Sequence, residues 1–114
     1  MTTVNNDDEL LFVYGSLMDP AERVRLLARV IEAVPARLPG YERGQKRYYF
    51  VVKRADALTD GAVLEGLGPR DFAILDAYED VPRLYTRERI EVLTADARRI
   101  ECWIYLPTEW ARAK

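Results

Sequence analysis

The chain has 114 residues with 17 Lys and Arg against 19 Asp and Glu, for a formal charge of −2. That length fits one domain able to bury roughly two thirds of its unfolded surface, and the slight acidity excludes a chain built mainly to neutralise phosphates. The absence of histidine removes the usual general base, the usual zinc ligand and the middle member of serine or cysteine triads, so proton transfer near neutral pH falls to a carboxylate, lysine or tyrosine.

Residues 1–8 read as a polar, mobile tail and residues 9–114 as a single folded domain. Met1 to Glu9 has no basic region followed by an apolar stretch, and no segment approaches the length of a membrane span. With one cysteine, Cys102, in a strand-like setting, the expected compartment is the cytoplasm. Leu10 to Tyr14 is short, apolar and β-prone, which predicts a buried strand. Asp19 suits a helix N-cap, Pro20 the first helical position, and Glu22 can reach back to the cap amide. Tyr14 to Met18 is therefore a tight strand-to-helix turn that aims backbone N–H groups outward and can cradle a carboxylate, a phosphate or a developing oxyanion. Gly15 permits a left-handed conformation or a close approach to the backbone. Many such turns hold nothing, so the turn alone does not define a site.

The first helix is predicted from Pro20 to about Val30, with Ala21, Val24, Leu27 and Ala28 inward and Arg23, Arg25 and Arg29 outside. A second strand runs from Ile31 toward Leu38, and Pro39-Gly40 marks a turn. Tyr48 to Val52 reads as a covered strand, Arg54 to Asp60 as a polar loop, and Ala62 to about Leu67 as another strand. The basic residues Arg43, Lys46, Arg47, Lys53 and Arg54 are interrupted by Glu42 and Asp56, which suits a solvated strand face rather than a nucleic-acid site. Pro69 opens a second helix with Phe72, Ala73, Leu75 and Ala77 inward, ending near Glu79 to Pro82. Strands at Tyr85 to Leu93 and Arg99 to Leu106 complete the chain. Trp103 is expected in the core, and an exposed Trp103 or Trp110 would mark a dimer surface. About six strands and two helices predict an α+β fold, a small mixed-sheet β-barrel with the helices packed outside. Neither the element order nor Gly15 suits a dinucleotide fold.

A second constellation, Leu75-Asp76-Ala77-Tyr78-Glu79-Asp80, places three carboxylates within five residues at the end of the second helix. Asp76 and Glu79 share a face and Asp80 lies close to both, so mutual repulsion and partial burial beside Tyr78 are expected to raise an apparent pKa and yield a usable general base. A solvated helix end is the plainer reading, although acids there oppose the helix dipole. No histidine or further acidic cluster supplies a metal site.

Taken together, Leu11-Phe12-Val13-Tyr14-Gly15-Ser16-Leu17, Gly61-Ala62-Val63-Leu64, Leu75-Asp76-Ala77-Tyr78-Glu79 and Tyr85-Thr86-Arg87 resemble the gamma-glutamylcyclotransferase-like superfamily. Within it the chain is most similar to the avirulence-induced-gene-like branch and the gamma-glutamylamine cyclotransferases. The resemblance implies a small barrel whose cavity holds a gamma-glutamyl group, with Tyr14, Gly15, Ser16 and Leu17 as the substrate loop, Glu79 as the catalytic glutamate and Tyr85 near the cavity. It implies release of 5-oxoproline and a free amine, with no cofactor, no metal, no nucleic acid and no membrane partner, in a monomer or homodimer. Asp80, where many members carry glycine, and the spacer Val81-Pro82-Arg83-Leu84 depart from the pattern. The alternative is a non-catalytic protein that keeps the cavity to hold a small ligand.

Overall fold

Strand β1, Leu11–Val13, opens the barrel in the computed structural model, which describes residues 10–45 and 49–112. The expected tail at 1–8 lies outside the described residues, as do Lys46, Arg47 and Tyr48. Helix α1 spans Pro20–Leu27, β2 Ala33–Gln45, β3 Tyr49–Leu64, α2 Pro69–Glu79, β4 Tyr85–Thr94, β5 Arg99–Pro107 and α3 Glu109–Arg112. The strands close into a mixed barrel in the order β1-β3-β2-β4-β5, with β1 and β5 parallel and the other neighbours antiparallel. The expected α+β barrel is therefore present, with one short helix added.

Side chains of a strand alternate between its faces, and β1 distributes its residues accordingly. Phe12 packs inside the barrel with Leu38, Val63, Val92 and Ile104. Leu11 and Val13 face a second core shared with Leu27 of α1 and Phe72 and Leu75 of α2. Cys102 is fully buried in the inner core, as its apolar neighbours predict. Gly61 is required where β3 crosses β1, because a Cβ there would stand 2.3 Å from the Val13 carbonyl oxygen and 2.5 Å from the Phe12 ring.

Five strands replace the expected six. The stretch read as a turn at Pro39-Gly40 and a loop at Arg54 to Asp60 is one continuous two-stranded ribbon with a bulge. Pairing passes from Pro39↔Leu58 to Tyr41↔Lys53, so Gly40 alone opposes four residues of β3. Gly40, at φ +82°, and Asp56, at φ +68°, absorb the bend. The ladder needs no apolar side chains where both faces meet solvent, so polarity there misleads.

Both helix faces also differ from expectation. In α1 the buried residues are Arg23 and Leu27, while Val24 is 43% exposed. In α2 they are Asp71, Phe72 and Leu75, and Ala73 and Ala77 are exposed. Asp71 accepts from the Gly68 amide and receives both terminal nitrogens of Arg29, joining the two helices. Asp19 caps α1 through the Ala21 amide, whereas Glu22 is turned outward to Arg25 and Tyr78.

Candidate active site

Past β1 the chain turns sharply, and Ser16–Met18 forms a 3₁₀ turn that leads into α1. The turn closes with Met18 N–H donating to Gly15 O (2.9 Å) and Asp19 N–H donating to Ser16 O (3.1 Å). The N–H groups of Ser16 and Leu17 precede those bonds, so the turn leaves them without an internal partner. Gly15 has φ −134°, so it is not left-handed. It is needed for close approach, since a Cβ would lie 3.0 Å from the Tyr49 side chain.

Glu79 ends α2 and faces the same cavity as the turn. That cavity has a volume of about 350 Å³, and Tyr14, Gly15, Ser16, Leu17, Glu79 and Tyr85 all line it. The geometry thus brings the turn residues, Glu79 and Tyr85 to one cavity, whereas Asp76 and Asp80 do not line it. Tyr49, Tyr78 and Tyr105 complete a largely aromatic wall. Tyr78 stands inside the Asp76-to-Glu79 motif, so its neighbour in sequence is the signal for it. Tyr49 and Tyr105 arrive from distant strands and carry no local signal.

Burial pushes the Glu79 carboxyl up to about 7. Desolvation alone drives that shift, and among the described residues no hydrogen bond or ion pair to Glu79 offsets it. The neighbouring acids are not the cause, contrary to expectation. Asp76 is engaged by Arg87 through Nε (2.9 Å) and Nη2 (3.2 Å), and it also accepts the Tyr105 hydroxyl at 2.7 Å. Arg87 is itself stacked over the Phe72 and Trp103 rings. Asp80 pairs with Arg83 and adopts φ 60°, ψ 52°, the left-handed C-cap position that favours glycine. The departure at Asp80 is therefore a capping substitution and not a change in the cavity wall.

The wall is held by bonds that reach across the fold. The Tyr14 hydroxyl donates to Tyr105 O, and the Tyr85 hydroxyl donates to Tyr49 O. Arg43 stacks on the Tyr49 ring and donates to Tyr14 O at 2.9 Å, which ties the β2–β3 ribbon to the turn. Burial, with the charges of Tyr85 and Glu79 acting in the same direction, holds the Tyr14 phenol far above its ordinary range. Tyr105 is raised by burial and by its bond to Asp76. At the rim Tyr78 donates to Glu22, so its contact with Ser16 Oγ at 2.8 Å is a bond donated by the serine. Ser16 consequently has a tyrosine and no base beside it.

Residues 11–114 match the family described as gamma-glutamyl cyclotransferase, AIG2-like. The chain belongs to that family. A Methanocaldococcus jannaschii protein named "Gamma-glutamylcyclotransferase and putative RNase" is 31% identical over 104 residues, which cover 89% of this chain and 47% of that protein. The chain thus spans about half the length of that relative. A solution structure of an Arabidopsis thaliana protein superposes with a TM-score of 0.82 at 28% identity, covering 97% of this chain and 76% of the other. A structure named gamma-glutamyl cyclotransferase gives 0.73 at 21% identity, over 88% and 66% respectively, and so shares the fold. Among the described residues no group of three or more His, Cys, Asp or Glu could hold a metal ion, and no helix is long and apolar enough to cross a membrane.

Proposed function

We propose that the protein is a cyclotransferase that converts a gamma-glutamyl amine or peptide into 5-oxoproline and a free amine. The observation that carries this reading is that one small cavity is lined both by Glu79, a buried carboxyl raised to about 7, and by a turn whose Ser16 and Leu17 N–H groups take no part in the turn's own bonds. A volume of about 350 Å³ suits a gamma-glutamyl group with a small amine attached. Family membership supports the reaction class.

The reaction is intramolecular. The substrate's alpha-amine attacks its own gamma-carbonyl carbon, the five-membered ring closes, and the bond to the leaving nitrogen breaks. Holding both reacting groups in a folded geometry draws on the effective molarity of roughly 10⁵ to 10⁸ M available to well-oriented intramolecular reactions. Glu79 takes one proton from the alpha-ammonium, which is not nucleophilic while charged, and returns it to the leaving nitrogen; the second proton, lost as the attacking nitrogen becomes the lactam N–H, takes the same route, so the amine departs as its ammonium ion. A carboxyl with a pKa near 7 is suited to both transfers, since it is substantially ionised at neutral pH yet remains a competent acid. The Ser16 and Leu17 amides bind the substrate's carboxylate or the oxyanion that develops on the gamma-carbonyl. Tyr85 fixes the ribbon that closes the cavity, and Ser16 has no base to make it a nucleophile.

The test is release of 5-oxoproline from a panel of gamma-glutamyl amines and dipeptides, with Glu79→Gln run in parallel. Turnover by the wild type is expected, with Glu79→Gln slower by about 10² to 10⁴. Glu79→Gln retaining most of the activity would remove the base assignment, and binding without turnover across the panel would favour a ligand-binding role.

A further inference from the structure

Arg23 is the anomaly of this fold. It lies on the inner face of α1 with only 6% of its surface exposed. No carboxylate pairs with it among the described residues, and its buried Nε has no hydrogen-bond partner. An uncompensated buried charge is costly. What Arg23 does contact is the substrate turn, because Nη1 donates to Leu17 O and to Met18 O, each at 3.0 Å.

Those two carbonyls are not arbitrary. Leu17 C=O shares its peptide group with Met18 N–H, which donates to Gly15 O, and Gly15 C=O shares its peptide group with Ser16 N–H. Met18 C=O likewise shares its peptide group with Asp19 N–H, which donates to Ser16 O, and Ser16 C=O shares its peptide group with Leu17 N–H. Each bond from the guanidinium therefore enters a chain of two peptide groups. The chains end on Ser16 N–H and Leu17 N–H, the donors that the turn leaves free. A donor that polarises an amide oxygen makes that amide's N–H a better donor, and hydrogen bonds in series strengthen one another by about 10–30% each in a low-dielectric interior.

We propose that Arg23 is a positioning residue that fixes the peptide planes of the turn and, through these two parallel relays, raises the hydrogen-bonding strength of the Ser16 and Leu17 amides toward an anionic group of the substrate. The relay rests on the cyclotransferase reading only for the identity of that group. The arrangement of donors follows from the fold. It also accounts for a buried cation that has no anion, since the partner in charge is the substrate, reached through four peptide groups.

The experiment compares Arg23→Met, which keeps length and apolar bulk, and Arg23→Lys, which keeps the charge but cannot reproduce the guanidinium geometry. Backbone amide resonances and kcat/KM for 5-oxoproline release are both recorded, with circular dichroism to verify folding. Arg23→Met is expected to move the Ser16 and Leu17 amide protons upfield while amides in β4 and β5 stay in place, and to lower kcat/KM at least tenfold. Arg23→Lys is expected to fall between the two. If the turn binds the carboxylate the loss appears in KM, and if it binds the oxyanion the loss appears in kcat. A folded Arg23→Met protein with unmoved Ser16 and Leu17 amides, or with kcat/KM within twofold of wild type, overturns the relay. So does Arg23→Lys matching wild type in both readouts, which keeps the test decisive if the methionine variant does not fold. A wild type that turns over nothing removes the cyclotransferase reading instead, and the amide shifts still decide the relay.

Discussion

Replacing Glu79 by glutamine should stabilise the protein at alkaline pH and leave its stability almost unchanged in acid. The fold disfavours the ionised carboxylate, holding its pKa at about 7 against an ordinary value of 4.5. A native pKa above the unfolded one means that between those values the native state binds more protons. Stability is therefore fully present below pH 4.5 and is lost as pH rises through 7. The span from 4.5 to about 7, at about 1.36 kcal/mol per pH unit, corresponds to about 3 kcal/mol. Glutamine has the shape of the protonated acid and does not titrate, so the difference between variant and wild type should grow from near zero at pH 4.5 to about 3 kcal/mol at pH 8.5. In urea that is a midpoint shift of about 2 M, taking a slope of about 1.5 kcal/mol/M. With no histidine in the chain, little else titrates between pH 5 and 8, and the subtraction cancels the remainder. Urea unfolding at several pH values is the assay. A difference independent of pH, or one in which the variant loses stability as pH rises, would show that the carboxylate is favoured as an anion and refute the desolvation argument.

The same carboxyl governs the rate profile. If Glu79 acts as the base, kcat/KM should rise about tenfold per pH unit below pH 7 and level off above it, and the residual rate of Glu79→Gln, lower by about 10² to 10⁴, should lack that inflection. Tyr85→Phe removes the hydroxyl that bonds the Tyr49 carbonyl and should cost about 1 kcal/mol of stability in urea unfolding, with a raised KM as the ribbon loosens over the cavity. Asp80→Gly relieves the left-handed cap while losing the exposed Arg83 pair, so it should be stabilising or neutral, within about 1 kcal/mol, and should leave kcat/KM within twofold. A larger fall in turnover for Asp80→Gly would place that residue in the site after all.

Much of the candidate site could be read from the sequence because it is assembled where elements end. A β-prone apolar run, a glycine, then Asp19-Pro20 locates the turn by short-range chemistry alone, and the helix that stops at Glu79 does the same for that carboxyl. Less of the supporting framework could be read. Arg23 sits among arginines that the helical pattern assigns to solvent, and what buries it is a pair of carbonyls exposed only once the turn has its 3₁₀ form. Arg43 looks like one member of a solvated basic run until the ribbon lays it against Tyr49 and the Tyr14 carbonyl. The ribbon itself was obscured by a bulge that combines a glycine on one strand with a polar excursion on the other.

Asp76 and Glu79 show where local reasoning stops. Three residues apart on one helix, they share a face, and nothing near them in sequence distinguishes the two acids. Their fates diverge because β4 brings Arg87 and β5 brings the Tyr105 hydroxyl to Asp76, whereas Glu79 faces only the aromatic wall and the turn. One acid is ion-paired, and the other is a buried carboxyl whose ionisation the fold disfavours. On the cyclotransferase reading, the acidic cluster serves function because tertiary packing separates its members, and not because it gathers charge.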